Sequence, residues 1–71
     1  MRFKKFVELR DSNYNTEPDR ITAFVDMDEV VIVTREPFQE IDCYKFFLKC
    51  GYALYVDATL EAAELVKGLV I

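Results

Sequence analysis

Hydrophobic and polar residues alternate along the first half of the chain in the manner of β-strands. Residues 2–9 and 20–25 each place apolar side chains at every second position over most of their length. Residues 30–34 are β-branched and apolar on both faces. The alternating segments predict half-buried strands, and the third segment predicts a strand that lies centrally in a sheet or is covered on both sides.

Turn-forming residues separate these segments. Residues 11–19 contain Asp, Asn, Ser and Pro, which favour a loop. The acidic residues 26–29 predict a tight turn, so that 20–25 and 30–34 form a hairpin. Residues 35–42 contain a proline and three acids, and they predict a second loop with Phe38 and Ile41 pointing inward.

The aromatic-rich residues 44–56 carry the strongest hairpin pattern in the chain. Two apolar runs flank Cys50 and Gly51, and glycine tolerates the backbone conformation of a tight turn. We therefore expect Cys50 at an exposed, two-residue turn.

After residue 57 the hydrophobic period changes to that of a helix. Thr59 is the predicted N-cap, and glutamates follow where the helix dipole favours acids. Gly68 is the predicted C′ residue, with residues 69–71 packing or pairing beyond it. The apolar face of this helix consists of Ala62, Leu65, Val66 and Leu69.

The order of elements predicts an α+β fold, an antiparallel sheet of about five strands with one C-terminal helix packed on it. The length of 71 residues allows one small domain, residues 1–71, and 52% hydrophobic residues argue against intrinsic disorder. One helix covers one sheet face, whereas residues 30–33 and 44–48 are apolar on both sides. We therefore expect a second chain, identical or different, to cover the other face or an edge.

The absence of histidine narrows the chemistry of this chain. It removes Ser-His and Cys-His catalytic arrangements, His-containing zinc sites and the common near-neutral general base. Residues 26–29 also lack the further spaced acids and glycine of an EF-hand loop. We expect a non-enzymatic protein with no metal ion and no cofactor.

The cysteines and the apolar runs predict a cytoplasmic protein. Cys43 and Cys50 lie in a predicted strand and its turn, too far apart for a disulfide, and two free thiols fit a reducing compartment. No apolar run approaches the ~20 residues of a membrane span. Residues 1–6 lack the apolar centre of a signal peptide.

Charge and aromatic residues supply the candidate contacts. The net charge is −4, and residues 17–42 hold eight acids against two arginines, which argues against a dedicated nucleic-acid binder. Tyrosine and phenylalanine on the hairpin serve either cross-strand packing or an interface, where they are enriched. The candidate partner-binding residues are Asp26, Asp28, Glu29, Glu36, Glu40, Asp42, Tyr44, Phe46, Tyr52 and Tyr55.

Residues 44–56 (YKFFLKCGYALYV) and 59–65 (TLEAAEL) resemble the small flagellar FlbD-like family and related short phage and bacterial proteins. In that family a strand, an asparagine–glycine-type turn, a second strand and a short helix close the chain. Here Cys50 stands in place of the asparagine, and residues 26–42 have no counterpart in the short members. The resemblance implies a small sheet-plus-helix protein that acts by contact, encoded by a phage or mobile element. It implies no site residues.

We predict a cytoplasmic protein–protein interaction module, a small regulatory or accessory protein that presents a sheet face or edge to a partner protein or to a second copy in a homo-oligomer. The alternative is an inhibitor from a phage or mobile element, whose acidic residues 17–42 block a basic nucleic-acid channel of a host enzyme. That alternative requires the acids to converge on one face. A third possibility is an RNA-binding sheet that uses Arg2, Lys4, Lys5 and the tyrosines.

Overall fold

The computed structural model of the chain describes residues 2–12 and 16–69, in which five antiparallel strands and one C-terminal helix form an α+β fold. The predicted fold class is confirmed. The sheet order is β2-β1-β5-β4-β3. The elements are β1 (Phe3–Arg10), β2 (Asp19–Asp26), a 3₁₀ helix (Met27–Glu29), β3 (Val30–Phe38), β4 (Ile41–Leu48), β5 (Ala53–Asp57) and α1 (Leu60–Leu69).

The two edge strands, β2 and β3, follow one another in the chain with only the 3₁₀ helix between them. In a flat sheet five strands wide, the edges would lie roughly 19 Å apart. The chain from Asp26 to Val30 spans at most roughly 14 Å. The sheet therefore curls until its edges approach each other.

The predicted hairpin between residues 20–25 and 30–34 is wrong, because those strands are opposite edges of the sheet and do not pair with each other. Residues 26–29 do not reverse the chain, since the buried Met27 holds the 3₁₀ helix against the core. The prediction of a central or doubly covered strand at 30–34 is also wrong. Val31 and Ile32 lie on an edge strand and are exposed.

The loop predicted for residues 35–42 is also wrong, because β3 and β4 continue through this segment. They meet at a two-residue turn, Gln39 and Glu40, with φ angles of 49° and 69°. Positive φ at both positions is typical of the type I′ turn, whose twist matches that of paired strands. Phe38 and Ile41 are half-buried beside this turn.

The sheet has an inner face, enclosed by the curl, that carries the main hydrophobic core. Phe46 is fully buried there. Its ring packs edge to face against the ring of Phe6, with 5.1 Å between the ring centroids. This core comprises Phe6, Val25, Met27, Tyr44, Phe46, Leu54, Val56 and Ala62.

The helix closes one side of this core. As predicted, Thr59 is its N-cap, since Thr59 Oγ1 accepts a hydrogen bond of 3.1 Å from the Ala62 N–H. Leu65 and Val66 pack against the core beside Ala62. Gly68, predicted as the C′ residue, lies within the helix, and residues 70 and 71 fall outside the described residues.

The opposite, outer face of the sheet is partly covered by the tip of the β3–β4 hairpin. The Phe38 ring packs against the Tyr55 ring with 4.6 Å between the ring centroids. Gln39 Nε2 donates a hydrogen bond of 2.7 Å to Asp11 Oδ1. Leu9 and Cys43 are buried outside the main core. The apolar outer positions of β4 are therefore covered in part by the chain itself.

The β4–β5 hairpin is confirmed, but its loop has three residues instead of two. Leu48 N–H bonds to the Tyr52 carbonyl at 2.9 Å, and Gly51 N–H bonds to the Leu48 carbonyl at 3.0 Å. Gly51 has a φ of 93°, a backbone conformation that residues with a side chain rarely adopt. Cys50 is exposed at the turn, as predicted.

We expect Phe46→Ala to lower the free energy of unfolding by about 3–5 kcal/mol, because it opens a cavity at the centre of the core. The matched change Leu60→Ala, at a side chain that is 88% exposed, is expected to cost less than about 0.5 kcal/mol. Urea denaturation followed by circular dichroism measures both. Equal losses would contradict this description of the core.

Candidate protein-interaction site

The outer side of β2 is a free sheet edge. In the described part of the chain β2 pairs over all eight residues with β1 and with no other strand. Every second residue of such an edge turns its N–H and C=O groups away from the sheet. Residues 21–25 contain no lysine, proline or bulge, which are the features that commonly protect edges from pairing.

The other edge strand, β3, is less regular. Its register with β4 shifts between Val30 and Ile32, as at a bulge. Pro37 has no N–H group to offer to a further strand. The regular and unprotected edge of this sheet is therefore that of β2.

A cleft of about 250 Å³ lies beside the β2 edge. Ala23 of β2 lines it on one side, and Leu48 and Leu54 line it on the other. Two residues with exposed aromatic side chains line the cleft, Tyr52 at 54% exposure and Phe24 at 67%, with the Phe24 side chain on the outer face of β2. The cleft thus combines apolar walls with an adjacent row of backbone hydrogen-bonding groups.

A buried carboxylate lies at the cleft and is already paired. Glu8 is buried, and its carboxylate accepts hydrogen bonds of 3.1 and 3.3 Å from the Arg10 guanidinium. These contacts raise the pKa of Arg10, chiefly through the hydrogen bond to Glu8. Because the two charges offset each other, the cleft carries little charge on its β1 side.

The six acidic candidates lie in two groups at opposite ends of β3. One group surrounds the 3₁₀ helix, and the other occupies the tip of the β3–β4 hairpin. The groups are Asp26, Asp28 and Glu29, and Glu36, Glu40 and Asp42. The nearest members along the chain, Glu29 and Glu36, are separated by up to roughly 23 Å of strand at ~3.3 Å per residue. The inhibitor alternative depends on convergence of these acids, and this arrangement gives it no support.

Several of these acids bind groups of the chain itself. Asp26 Oδ1 accepts hydrogen bonds of 3.1 Å from the N–H groups of Arg2 and Asp28. Arg2 Nε donates to Asp28 at 2.9 Å and lowers the pKa of that carboxyl. Arg35 likewise lowers the pKa of Asp42, so this pair persists as pH falls until it passes the lowered pKa.

The four aromatic candidates differ in accessibility. The prediction of Tyr44 and Phe46 as partner contacts is wrong, because both belong to the buried core. Tyr55 is half-buried on the outer face under Phe38. Tyr52 is exposed beside the cleft and stays available to a partner.

Phe24 is not among the candidate contacts predicted from the sequence. The alternation in residues 20–25 assigns Ile21, Ala23 and Val25 to one face, so Phe24 must lie on the other face with Thr22. A large aromatic on the non-core face of a strand was the available signal. Only the strand order shows that it lies on an edge.

Comparisons with known proteins supply no relative for this site: no family model, curated protein or solved structure matches the chain. The resemblance to the FlbD-like family stays a prediction. Among the described residues, no helix is long and apolar enough to cross a membrane. The same residues contain no group of three or more His, Cys, Asp or Glu side chains that could hold a metal ion.

We expect one of the two thiols to react rapidly with Ellman's reagent at neutral pH. Cys50 is exposed, whereas Cys43 is buried, donates to the Glu36 carbonyl at 3.0 Å and has a pKa raised by burial. Cys50→Ser should abolish the rapid reaction, and Cys43→Ser should leave it intact. Two equally rapid thiols in the folded protein would show that solvent reaches Cys43 and would contradict its burial on the outer face.

Proposed function

We propose that this protein is a non-enzymatic protein–protein interaction module that adds an extended segment of a partner to the free edge of β2. The observation that carries the proposal is the regular, eight-residue edge strand beside an apolar cleft. In this mode of recognition, backbone hydrogen bonds give affinity and pockets for alternate side chains give specificity.

The side chains around β2 suit such an added strand. Alternate residues of a bound segment would enter the cleft against Ala23, Leu48 and Leu54. On the outer face, the same segment would cover Phe24, which is mostly exposed in the single chain. Burial of apolar surface on both sides would favour binding.

The composition supports a role by contact in the cytoplasm. A chain without histidine lacks the usual near-neutral acid–base group. Cys43 and Cys50 are free thiols, whereas secreted domains of this size commonly use their cysteines in disulfides. We therefore include a small regulatory or accessory role in the cytoplasm in the proposal.

We expect displayed random peptides of about nine residues to yield binders with alternating apolar positions when selected on the immobilised protein. Phe24→Lys should weaken these binders about tenfold or more, because it replaces apolar surface at the edge by a charge. Calorimetry or interferometry with synthetic peptides provides the affinities.

Ile32→Lys is the matched control, since Ile32 is 54% exposed on the other edge strand. The selected peptides should bind Ile32→Lys with affinities within about twofold of those measured for the parent protein. Peptides that bind both variants equally, or that lose binding only in Ile32→Lys, would refute the role of the β2 edge. A selection without convergent binders would also count against it.

A further inference from the structure

We propose that the partner at the β2 edge is a second copy of this chain, with the two β2 strands antiparallel about a twofold axis at Ala23. This inference rests on the proposed function, in which β2 accepts an extended strand. It names the partner and the register.

Symmetry limits the possible registers. Two copies that continue one sheet keep their outer faces on the same side, and residues directly opposite each other share a face. A twofold axis through such a pair therefore requires one residue to face its own copy. A slip of one residue would place outer side chains opposite inner ones.

The register centred on Ala23 opposes two of the three charged residues of β2, Arg20 and Asp26. It pairs residues 20–26 of one copy with the same residues of the other. Arg20 then faces Asp26 of the second copy, and this ion pair forms twice. The remaining opposed pairs are Ile21 with Val25, Thr22 with Phe24, and Ala23 with Ala23.

The neighbouring registers fit less well. Centring on Thr22 opposes Asp19 to Val25 and Arg20 to Phe24, which leaves both residues without an opposite charge across the interface. Centring on Phe24 shortens the ladder to residues 22–26 and leaves Arg20 beyond it. Charge complementarity and ladder length thus select the same register.

The observed side-chain positions are compatible with this register. Ala23 is opposite Phe6 of the core in the β1–β2 ladder, so the even-numbered residues of β2 lie on the outer face. Arg20 and Asp26 therefore share that face. Arg20 Nε lies 3.6 Å from Asp57 Oδ2 of the same chain, and the Arg20 side chain is 47% exposed. A carboxylate has two oxygens, so Asp26 can cap the 3₁₀ helix and accept a guanidinium as well.

The inner face of the joined strands also allows close approach. Ala23 at the axis adds only a methyl group from each copy to the inner face, so no large side chains crowd each other there. On the outer face each Phe24 covers Thr22 of the other copy and lies diagonally across from the second Phe24. The exposed phenylalanine of the single chain thereby becomes an interface residue.

Charge exchange between the paired positions tests this register. Arg20→Asp opposes two acids twice in the dimer, and Asp26→Arg opposes two arginines twice, so each variant should dimerise about tenfold or more weakly than the parent. An equimolar mixture of the two variants restores opposite charges at both positions. Sedimentation equilibrium at two salt concentrations should show a heterodimer that salt weakens.

Matched variants control for general charge attraction and for folding. Asp19→Arg should dimerise like the parent and should not draw Arg20→Asp into a heterodimer as Asp26→Arg does, because Asp19 has no opposed residue in this register. Asp26→Asn keeps an oxygen that can cap the 3₁₀ helix while removing the charge, and it should weaken the dimer without unfolding. Circular dichroism verifies the fold of each variant.

The outcomes separate this inference from the proposed function. A parent protein that stays monomeric while selected peptides bind β2 would overturn self-pairing and keep the edge-binding function. A parent dimer with no recovery in the mixed variants would overturn the register. Absence of both dimer and peptide binding would overturn the inference together with the proposed function.

Discussion

The passage of the chain from β2 to β3 is the constraint on which the rest of this structure depends. Only three residues of 3₁₀ helix connect the two edges of a five-stranded sheet. Backbone hydrogen bonds hold this passage on both sides, from Met27 N–H to the Arg2 carbonyl and from Lys49 N–H to the Glu29 carbonyl, each at 2.8 Å. Met27 adds its side chain to the core. The curl that results encloses the inner face with one short helix.

The same constraint determines which surfaces stay open. A sheet that curled further could pair its edges and remove them, as closed barrels do. Here β2 and β3 approach each other without forming a ladder, and a cleft lies beside β2. The irregular register of β3 protects one edge, whereas the uninterrupted ladder of β2 with β1 leaves the other suited to pairing. The proposed interaction through β2 would thus be a consequence of incomplete closure of the sheet.

Local patterns predicted most elements but not their arrangement. The alternation in residues 20–25, the hairpin around Gly51 and the N-cap Thr59 depend on neighbouring residues, and all three are found. The hairpin predicted across residues 26–29 failed, because a short polar segment does not reveal whether the chain reverses or continues. Burial of Met27 inside an acidic segment decides this, and it depends on tertiary packing. The β2 edge could not be identified from the sequence for the same reason, since strand order decides which strand lies outside.

Hydrogen exchange of the β2 amides, measured by NMR as a function of protein concentration, tests the central claim most directly. In dilute solution, alternate amides within Asp19–Asp26 should exchange rapidly while those bonded to β1 are protected. As concentration rises, the rapidly exchanging set should gain protection and the other set should change little. Protection of every β2 amide at the lowest concentration, or rapid exchange that never changes with concentration, would contradict an open edge that pairs between copies.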